Sequence, residues 1–187
     1  MGIADADHVL GRYPFQLSGG MAQRVLLAIG VALKPRVLIA DEPTSNLDVT
    51  LQAEILHRLR LLRQESGTSI MLITHDLGII AQMADSVAVM YGGFIVEYAE
   101  TKQLFKRPTH PYTWGLFQAI PRLDSPDESL QPLPGIPPRM LDPPDQCPFL
   151  HRCNKATTEC RTSPRPPLVE IESGHKLACF NPIAFPD

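Results

Sequence analysis

The chain has 187 residues, of which 44% are hydrophobic and 20% are charged, and its net charge is −3. This composition is typical of a globular protein, and the small negative charge gives no electrostatic reason to expect nucleic-acid binding. The longest apolar run, at residues 25–33, is far shorter than the roughly 18 residues that indicate a membrane span. Because the first residues are acidic and no apolar segment follows them, we expect no secretory signal and a cytoplasmic location.

The first two predicted elements are a helix and a strand. Residues 21–33 are apolar at most positions, which predicts a largely buried helix, and Ser18 or the glycines after it suit its N-terminus. Residues 37–40 form a short, continuous apolar run, which is typical of a strand buried on both faces.

A parallel crossover unit is predicted from this strand onward. Residues 69–74 repeat the apolar strand pattern, and apolar residues recur at helical spacing from Leu51 to Leu62. Gly67 suits the end of that helix. A strand, a helix and a strand of these lengths indicate two parallel strands joined by a helical crossover.

One more helix and a hairpin are predicted beyond the crossover. The helix covers residues 77–84. Two short apolar runs, 87–90 and 94–96, flank a turn that contains Gly92 and Gly93. This pattern predicts an antiparallel hairpin, which we expect at the edge of the sheet.

The composition of the chain changes near residues 120–125. Only five of the 19 prolines precede residue 121, and all four cysteines follow it. We therefore expect a regular α/β portion first and an irregular, proline-rich tail after it, held in shape by something other than a large core.

Two short motifs in the first half carry groups suited to phosphate chemistry. Ser18, Gly19 and Gly20 at a helix start offer a hydroxyl and backbone N–H groups to an anion. Asp41 and Glu42 follow a buried strand, at the end of the sheet where α/β proteins bind ligands. One carboxylate can hold Mg²⁺ through its water shell, and the other can orient an attacking water.

Each motif alone has an ordinary structural explanation. A Ser-Gly-Gly is usually a turn, an Asp-Glu pair is usually solvated surface, and a lone histidine at a strand end is usually a satisfied polar group. Here the two motifs are followed by residues 45–48 and then by residues 73–76 at the end of the next strand. Four such elements in this order and spacing favour a functional site.

These residues carry a resemblance to a known family. From about residue 8 onward the chain resembles the nucleotide-binding subunits of ABC transporters. Residues 17–23 look like the signature motif, 37–42 like the Walker B strand, 45–48 like the D-loop, and His75 like the switch histidine.

The resemblance implies a role for each matching residue. Asp41 would help to hold Mg²⁺, Glu42 would act as the general base toward the hydrolytic water, and His75 would contact the γ-phosphate of ATP. The remaining nucleotide-site residues belong to the signature motif, which faces the ATP of the opposite subunit, and to the D-loop at the dimer interface: Ser18, Gly19, Gly20, Gln23 and Asp48.

The segment after the hairpin indicates which subfamily of ABC transporters the chain resembles. Residues 106–113 and the amphipathic stretch to 122 look like the C-terminal extension of oligopeptide and dipeptide importers, which nickel importers share. The resemblance implies an α/β fold, namely a partial P-loop NTPase core of the ABC type with a mostly parallel sheet, over residues 1–100. An irregular, proline-rich extension would occupy residues 101–187.

The same resemblance implies partners and a location. The expected partners are a second ABC ATPase subunit, two transmembrane permease subunits and, indirectly, an extracytoplasmic solute-binding protein, with no nucleic acid. The expected location is peripheral, at the cytoplasmic face of the cell membrane.

The four cysteines of the tail suggest a metal site. Four thiolates in a proline-rich segment with little apolar content suggest a structural [4Fe–4S] or Zn²⁺ site, and four free buried thiols are the alternative. Some peptide importers are similar in carrying an iron–sulfur cluster on such a tail, which favours iron. The candidate ligands are Cys147, Cys153, Cys160 and Cys179.

The chain contains no Gly-x-x-x-x-Gly-Lys-Ser/Thr sequence. That loop holds the β- and γ-phosphates in this family, so we expect the isolated chain neither to bind ATP tightly nor to hydrolyse it. The chain resembles the C-terminal part of a longer subunit. The alternatives are a non-catalytic regulatory or metal-binding module derived from such a subunit and, less favoured, a non-transport ABC ATPase of DNA repair or chromosome maintenance.

Overall fold

The computed structural model describes residues 3, 5–45, 47–119, 133–137 and 145–185. Asn46 of the predicted D-loop and the end of the amphipathic stretch at 120–122 lie outside the described residues. The chain forms two compact units, Met1–Met83 and Ala84–Asp187. None of the helices in the described part of the chain is long and apolar enough to cross a membrane.

The first unit contains the predicted parallel crossover. Its elements are α1 (Ala6–Leu10), α2 (Gly19–Val31), β1 (Val37–Asp41), α3 (Val49–Ser66), β2 (Ser69–Ile73) and α4 (Leu77–Met83). β1 and β2 are parallel and in register from Val37 opposite Ser69 to Asp41 opposite Ile73. The end of α3 is also as predicted, because Gly67 adopts the left-handed conformation with φ 65° and its N–H bonds the carbonyl of Arg63.

The core of this unit lies on one face of the two strands. Its buried residues come from α2, β1 and α3, namely Leu27, Leu38, Ile55 and Leu59. Three predictions of burial were wrong. The run at 69–74 was expected to be buried on both faces like β1, but Met71 and Ile73 of β2 are 55% and 41% exposed. β1 is buried on one face only, since Val37 and Ile39 are 59% and 63% exposed, and α2 buries Leu27 but leaves Leu26 and Ile29 exposed. The physical reason is that the helices of this core pack against the face that carries Leu38.

The second unit is built on an antiparallel sheet. Its elements are β3 (Ser86–Tyr91), β4 (Phe94–Glu100), α5 (Thr101–Lys106), α6 (Pro111–Gln118), α7 (Thr158–Thr162), β5 (Val169–Glu172) and β6 (His175–Leu177). The strand order is β3-β4-β6-β5. The predicted hairpin of β3 and β4 is confirmed, with Gly92 and Gly93 at φ 57° and 83° in its turn. It belongs to this four-stranded sheet rather than to the edge of the parallel one, which corrects its expected position.

The tail is more regular than its proline content predicted. β6 pairs with β4, Glu97 lying opposite Leu177, and β5 pairs with β6. The buried cluster beside the hairpin includes Phe149 from the tail together with Tyr91 and Val96. The tail is therefore partly held by sheet pairing and apolar packing. Its alternating residues 169–172 and the turn at Gly174 (φ 74°) were the available sequence signal.

Candidate functional site

The predicted carboxylates and the predicted histidine lie at one end of the parallel strand pair. β1 ends at Asp41, which is exposed and opposite Ile73, the last residue of β2. The N–H of Glu42 donates to the carbonyl of Ile73 at 2.9 Å. Because parallel strands end at the same edge of a sheet, this register brings residues 41–42 beside residues 74–75.

Glu42 and His75 are in direct contact. The Nδ1 atom of His75 lies 2.8 Å from Oε1 of Glu42, so the imidazole N–H donates to the carboxylate. The hydrogen bond from Glu42 and its negative charge raise the pKa of His75 above its usual 6.5. The side chain of His75 is 85% exposed, so its second ring nitrogen can reach a ligand.

The backbone at Glu42 is in an uncommon conformation. Its φ is 45°, in the left-handed region that residues with a side chain rarely occupy. A tight turn holds it there, because the carbonyl of Glu42 accepts hydrogen bonds from the N–H of Ser45 at 3.1 Å and from its hydroxyl at 3.0 Å. Backbone strain of this kind is concentrated at functional sites in proteins.

The start of α2 shows different constraints at its two glycines. Ser18 caps the helix by accepting from the N–H of Met21 at 3.4 Å. A Cβ on Gly20 would collide with the side chain of Leu51, so any larger residue there would require Leu51 of α3 to shift. A Cβ on Gly19 would meet nothing within 4 Å, so packing does not require a glycine at this position.

Two further predicted residues connect this helix to its surroundings. The side-chain amide of Gln23 donates to the carbonyl of Pro43, which ties α2 to the turn after β1. The carboxylate of Asp48 caps α3, accepting from the N–H groups of Thr50 and Leu51 at 3.0 Å each. Ser18, Gly19, Gly20 and Asp48 line one open cleft.

The second unit contains a buried polar network that no local sequence pattern predicted. Glu97 is fully buried, and its Oε1 atom accepts from the N–H of Thr109 at 2.7 Å and from its hydroxyl. The same atom lies 2.9 Å from Nε2 of buried His175, and Oε2 accepts from the N–H of His110 at 3.0 Å. Burial acts to raise the pKa of Glu97, but the hydrogen bonds outweigh it and leave that pKa below its usual value.

This network fixes the start of α6. His110 is the N-cap of the helix, and its Nδ1 atom accepts from the N–H of Tyr112 at 3.0 Å. Burial lowers the pKa of His110 to about 4, although the charge of Glu97 acts in the opposite direction. His110 is therefore neutral at physiological pH.

The four cysteines line a single cavity, and all of them are free thiols. Burial raises the pKa of the Cys147 and Cys153 thiols and raises that of Cys179 to about 12, with neighbouring cysteines adding to each shift. His110 and Phe149 also line this cavity. Within the described ranges, no group of His, Cys, Asp or Glu side chains is arranged to hold a metal ion.

Comparison with known sequences identifies the family. A model described as ABC transporter matches residues 1–45, and one described as the C-terminal region of oligopeptide/dipeptide transporters matches residues 96–160. The oligopeptide transport ATP-binding protein OppD of Haemophilus influenzae is 49% identical over 178 residues, which are 95% of this chain and 54% of that protein. The chain is a homologue of the ATP-binding proteins of oligopeptide and dipeptide ABC transporters.

Other members of this ABC family show the same extent of similarity. OppD of Escherichia coli is 47% identical over 181 residues, covering 97% of this chain and 53% of that protein. The dipeptide transport ATP-binding protein DppD of Lactococcus lactis is 46% identical over 175 residues, covering 94% of this chain and 50% of that protein. The chain thus spans about half the length of the curated relatives it matches.

The structure agrees with the ABC ATPase fold. A solved structure described as a metal-chelate type ABC transporter in an inward-facing conformation matches with a TM-score of 0.52 and 25% identity. The match covers 62% of this chain and 44% of that one. The chain is therefore an α/β protein with part of the ABC ATPase fold, containing a parallel sheet and an antiparallel sheet. The division into functional parts at residues 1–100 and 101–187 stays a prediction.

The predicted site residues of this ABC protein fall into separate groups. Glu42 and His75 touch each other, and Asp41 precedes them at the same strand end. The Ser18-Gly-Gly start of α2 shares a cleft with Asp48, and Gln23 contacts the turn after Glu42. The cysteines surround a cavity in the second unit. The role of each residue in ATP or metal binding stays a prediction.

Proposed function

We propose that the chain supplies the C-terminal half of an ATP-hydrolysing, energy-coupling subunit of a di- or oligopeptide importer. The observation that carries the proposal is the contact between Glu42 and His75 at the shared end of two parallel strands. The family supports it, since the relatives are oligopeptide and dipeptide transport ATP-binding proteins. The expected solute is a peptide of unspecified length.

The chemistry follows from the two side chains. The carboxylate of Glu42 accepts a proton from the attacking water, which makes the water a better nucleophile. Because Nδ1 of His75 is bonded to Glu42, its Nε2 is the nitrogen that faces a phosphate. The raised pKa of His75 favours the imidazolium, whose positive charge stabilises the charge that develops on the transferred phosphoryl group.

The signature helix and Asp41 complete the proposed site. The open backbone at Gly19 and the hydroxyl of Ser18 would contact the phosphate held by a second ATPase subunit, with Asp48 at that subunit interface. Mg²⁺, when bound, neutralises phosphate charge, and the exposed carboxylate of Asp41 fits the water-mediated binding that this ion prefers.

The isolated chain is proposed to be inactive. Catalysis of phosphoryl transfer depends mainly on positioning and electrostatics, and these 187 residues contain no phosphate-binding loop of the Gly-x-x-x-x-Gly-Lys-Ser/Thr type. An ATPase assay of the monodisperse chain should therefore detect no turnover. Turnover that disappears on Glu42→Gln substitution would show that the chain positions ATP without that loop.

Peptide uptake by cells tests the transport proposal. The 187 residues would replace the matching half of OppD in Escherichia coli, the 47% identical relative, in cells without another copy of that protein. We expect uptake of an oligopeptide with the wild-type chain and none with Glu42→Gln. Equal uptake with both chains would contradict the proposed role of Glu42. The proposed working assembly contains a second ATPase subunit, two permease subunits and a solute-binding protein, at the cytoplasmic face of the membrane.

We also propose that the four-cysteine cavity holds a [4Fe–4S] cluster, with Zn²⁺ as the alternative. All four thiols line this one cavity, and cysteine sulfur is the usual ligand of both groups. The ring of His110 lines the same cavity, and its buried Nε2 atom has no hydrogen-bond partner in the described part of the chain. A sulfur atom of a bound cluster or zinc site would supply that partner. Binding would require the thiols to draw together and lose their protons.

Metal analysis of anaerobically purified protein tests this assignment. A cluster predicts about four iron atoms per chain and a broad absorption near roughly 400 nm. Colourless protein with stoichiometric zinc would favour the alternative. Protein with neither metal, and with no uptake after incubation with iron and sulfide or with zinc, would leave the cysteines as buried thiols and contradict the proposal.

A further inference from the structure

His110 uses only one of its two ring nitrogens within the described part of the chain. Nδ1 accepts a hydrogen bond from the N–H of Tyr112 at 3.0 Å, so it carries no proton. In a neutral imidazole the proton then resides on Nε2, which becomes a hydrogen-bond donor. That atom is buried and has no partner among the described residues, and the residue is 1% exposed. A buried N–H without an acceptor is unfavourable, so its presence calls for an acceptor.

The surroundings of His110 contain such acceptors. Its ring lines the cavity that the four cysteines also line, and the tail residue Phe149 packs beside it with the ring centres 6.0 Å apart. Cysteine sulfur accepts hydrogen bonds, whereas the aliphatic neighbours in the cavity do not and the aromatic faces accept them only weakly. The acceptor most consistent with this cavity is therefore a sulfur atom.

The backbone that carries His110 is held in position by Glu97, and the bond from Tyr112 to Nδ1 orients the ring. Glu97 accepts hydrogen bonds from the N–H groups of both Thr109 and His110, at 2.7 and 3.0 Å. His175 braces the same carboxylate at 2.9 Å. A fully buried carboxylate with these bonds fixes the backbone at the start of α6, so the donor edge of the His110 ring has a defined direction.

We propose that His110 is a positioning residue of the four-cysteine site, whose Nε2–H donates to a sulfur atom of a thiolate-held metal group. This inference rests on the proposed metal function of the cavity. A hydrogen bond to a ligand sulfur withdraws negative charge, which stabilises the bound group and favours its more reduced state. The stabilising hydrogen bond is the same for an iron–sulfur cluster and for zinc, whereas the effect on the reduced state applies to the cluster alone.

The test compares His110→Asn with the wild-type chain. Asparagine keeps a side-chain oxygen that can cap α6, but its side chain is too short to reach the cavity. The substitution therefore removes the hydrogen-bond donor and keeps the helix cap. The control is His151→Asn, at an exposed histidine of the same tail. Each protein is loaded anaerobically with iron and sulfide, and in a parallel series with Zn²⁺ alone.

Two measurements follow loading. We expect His110→Asn to lose its metal to a chelator about tenfold faster than the wild type and, in the iron series, to show a lower reduction potential. His151→Asn should match the wild type in both. If His110→Asn also matches the metal-loaded wild type, the inference about His110 is wrong while the metal proposal stands. If the wild type binds neither metal, both are wrong.

A measurement on the unaltered chain covers the case in which His110→Asn does not fold. In protein labelled with ¹⁵N-histidine, the ring of His110 should carry its proton on Nε2, and that N–H resonance should shift when the metal is added. The His151 resonances should not move. A proton on Nδ1, or an Nε2–H signal unchanged by metal loading, would overturn the proposal.

Discussion

Glu97→Gln should strongly lower the free energy of unfolding, because it alters the buried polar network of the second unit. Glutamine has nearly the same shape as glutamate, so the substitution removes charge and acceptor capacity without leaving a cavity. If the amide oxygen replaces Oε1, the amide NH₂ faces the N–H of His110, which then loses its acceptor. The bonds from Thr109 and His175 lose the contribution of the negative charge.

The expected loss can be worked out from these contacts. One buried donor without a partner costs roughly 1–3 kcal/mol, and the weaker bonds at the other oxygen add to it, so we expect about 3–5 kcal/mol in total. Domains of this size are stable by only about 5–15 kcal/mol. With a urea slope of about 1–3 kcal/mol per molar, the unfolding midpoint should fall by at least about 1 M.

Urea unfolding of the wild type, Glu97→Gln and Glu100→Gln measures this effect. Glu100 is exposed on the same strand and makes no capping hydrogen bond with its side chain, so its substitution should change the free energy of unfolding by less than about 0.5 kcal/mol. A loss below about 1 kcal/mol for Glu97→Gln would refute the reasoning.

The lowered pKa of Glu97 predicts that the free energy of unfolding falls at acidic pH. The pKa of Glu97 is lower in the folded chain than its ordinary 4.5. Its contribution is therefore fully present above that ordinary value and is lost as the pH falls through the lower folded-state pKa. The difference in stability between wild type and Glu97→Gln should shrink over that acidic range, and a difference that grows there would contradict the assignment.

Two further predictions concern the first unit. Gly20→Ala should destabilise the chain by roughly 1–3 kcal/mol, because the new Cβ meets the side chain of Leu51. Gly19→Ala, at the position with no neighbour, should have little effect. Urea unfolding measures both losses in stability, and equal losses would contradict this prediction. Glu42→Gln should lower the pKa of His75 toward 6.5, since the hydrogen bond and charge of Glu42 raise it, and an NMR titration with an unchanged pKa would contradict this cause.

Local signals made much of the fold predictable. Ser18 marks the start of α2 with its side-chain acceptor, and Gly67 marks the end of α3 with its left-handed conformation. Both signals depend on neighbouring residues alone. Gly92 and Gly93 specify the hairpin turn for the same reason. The contact of Glu42 with His75 could be anticipated because both follow strands that the crossover makes parallel and adjacent.

Long-range packing was not predictable in this way. The exposed face of β1 depends on which elements cover it, and Val37 and Leu38 look equally apolar in the sequence. The pairing of β6 with β4 joins segments about eighty residues apart. Glu97 and His175 lie 78 positions apart, so neither residue alone indicates that both would be buried against Thr109.

ATP hydrolysis by a purified fusion tests the central claim most directly. The fusion joins the 187 residues to the N-terminal half of the Escherichia coli relative OppD, so that a phosphate-binding loop can be provided from outside this chain. Three forms are compared: wild type, Glu42→Gln, and Glu65→Gln at an exposed position of α3. We predict that Glu42→Gln lowers the turnover number by about 100-fold or more and that Glu65→Gln leaves it unchanged. A fusion that hydrolyses ATP equally well in all three forms would contradict the assignment of Glu42 as the general base.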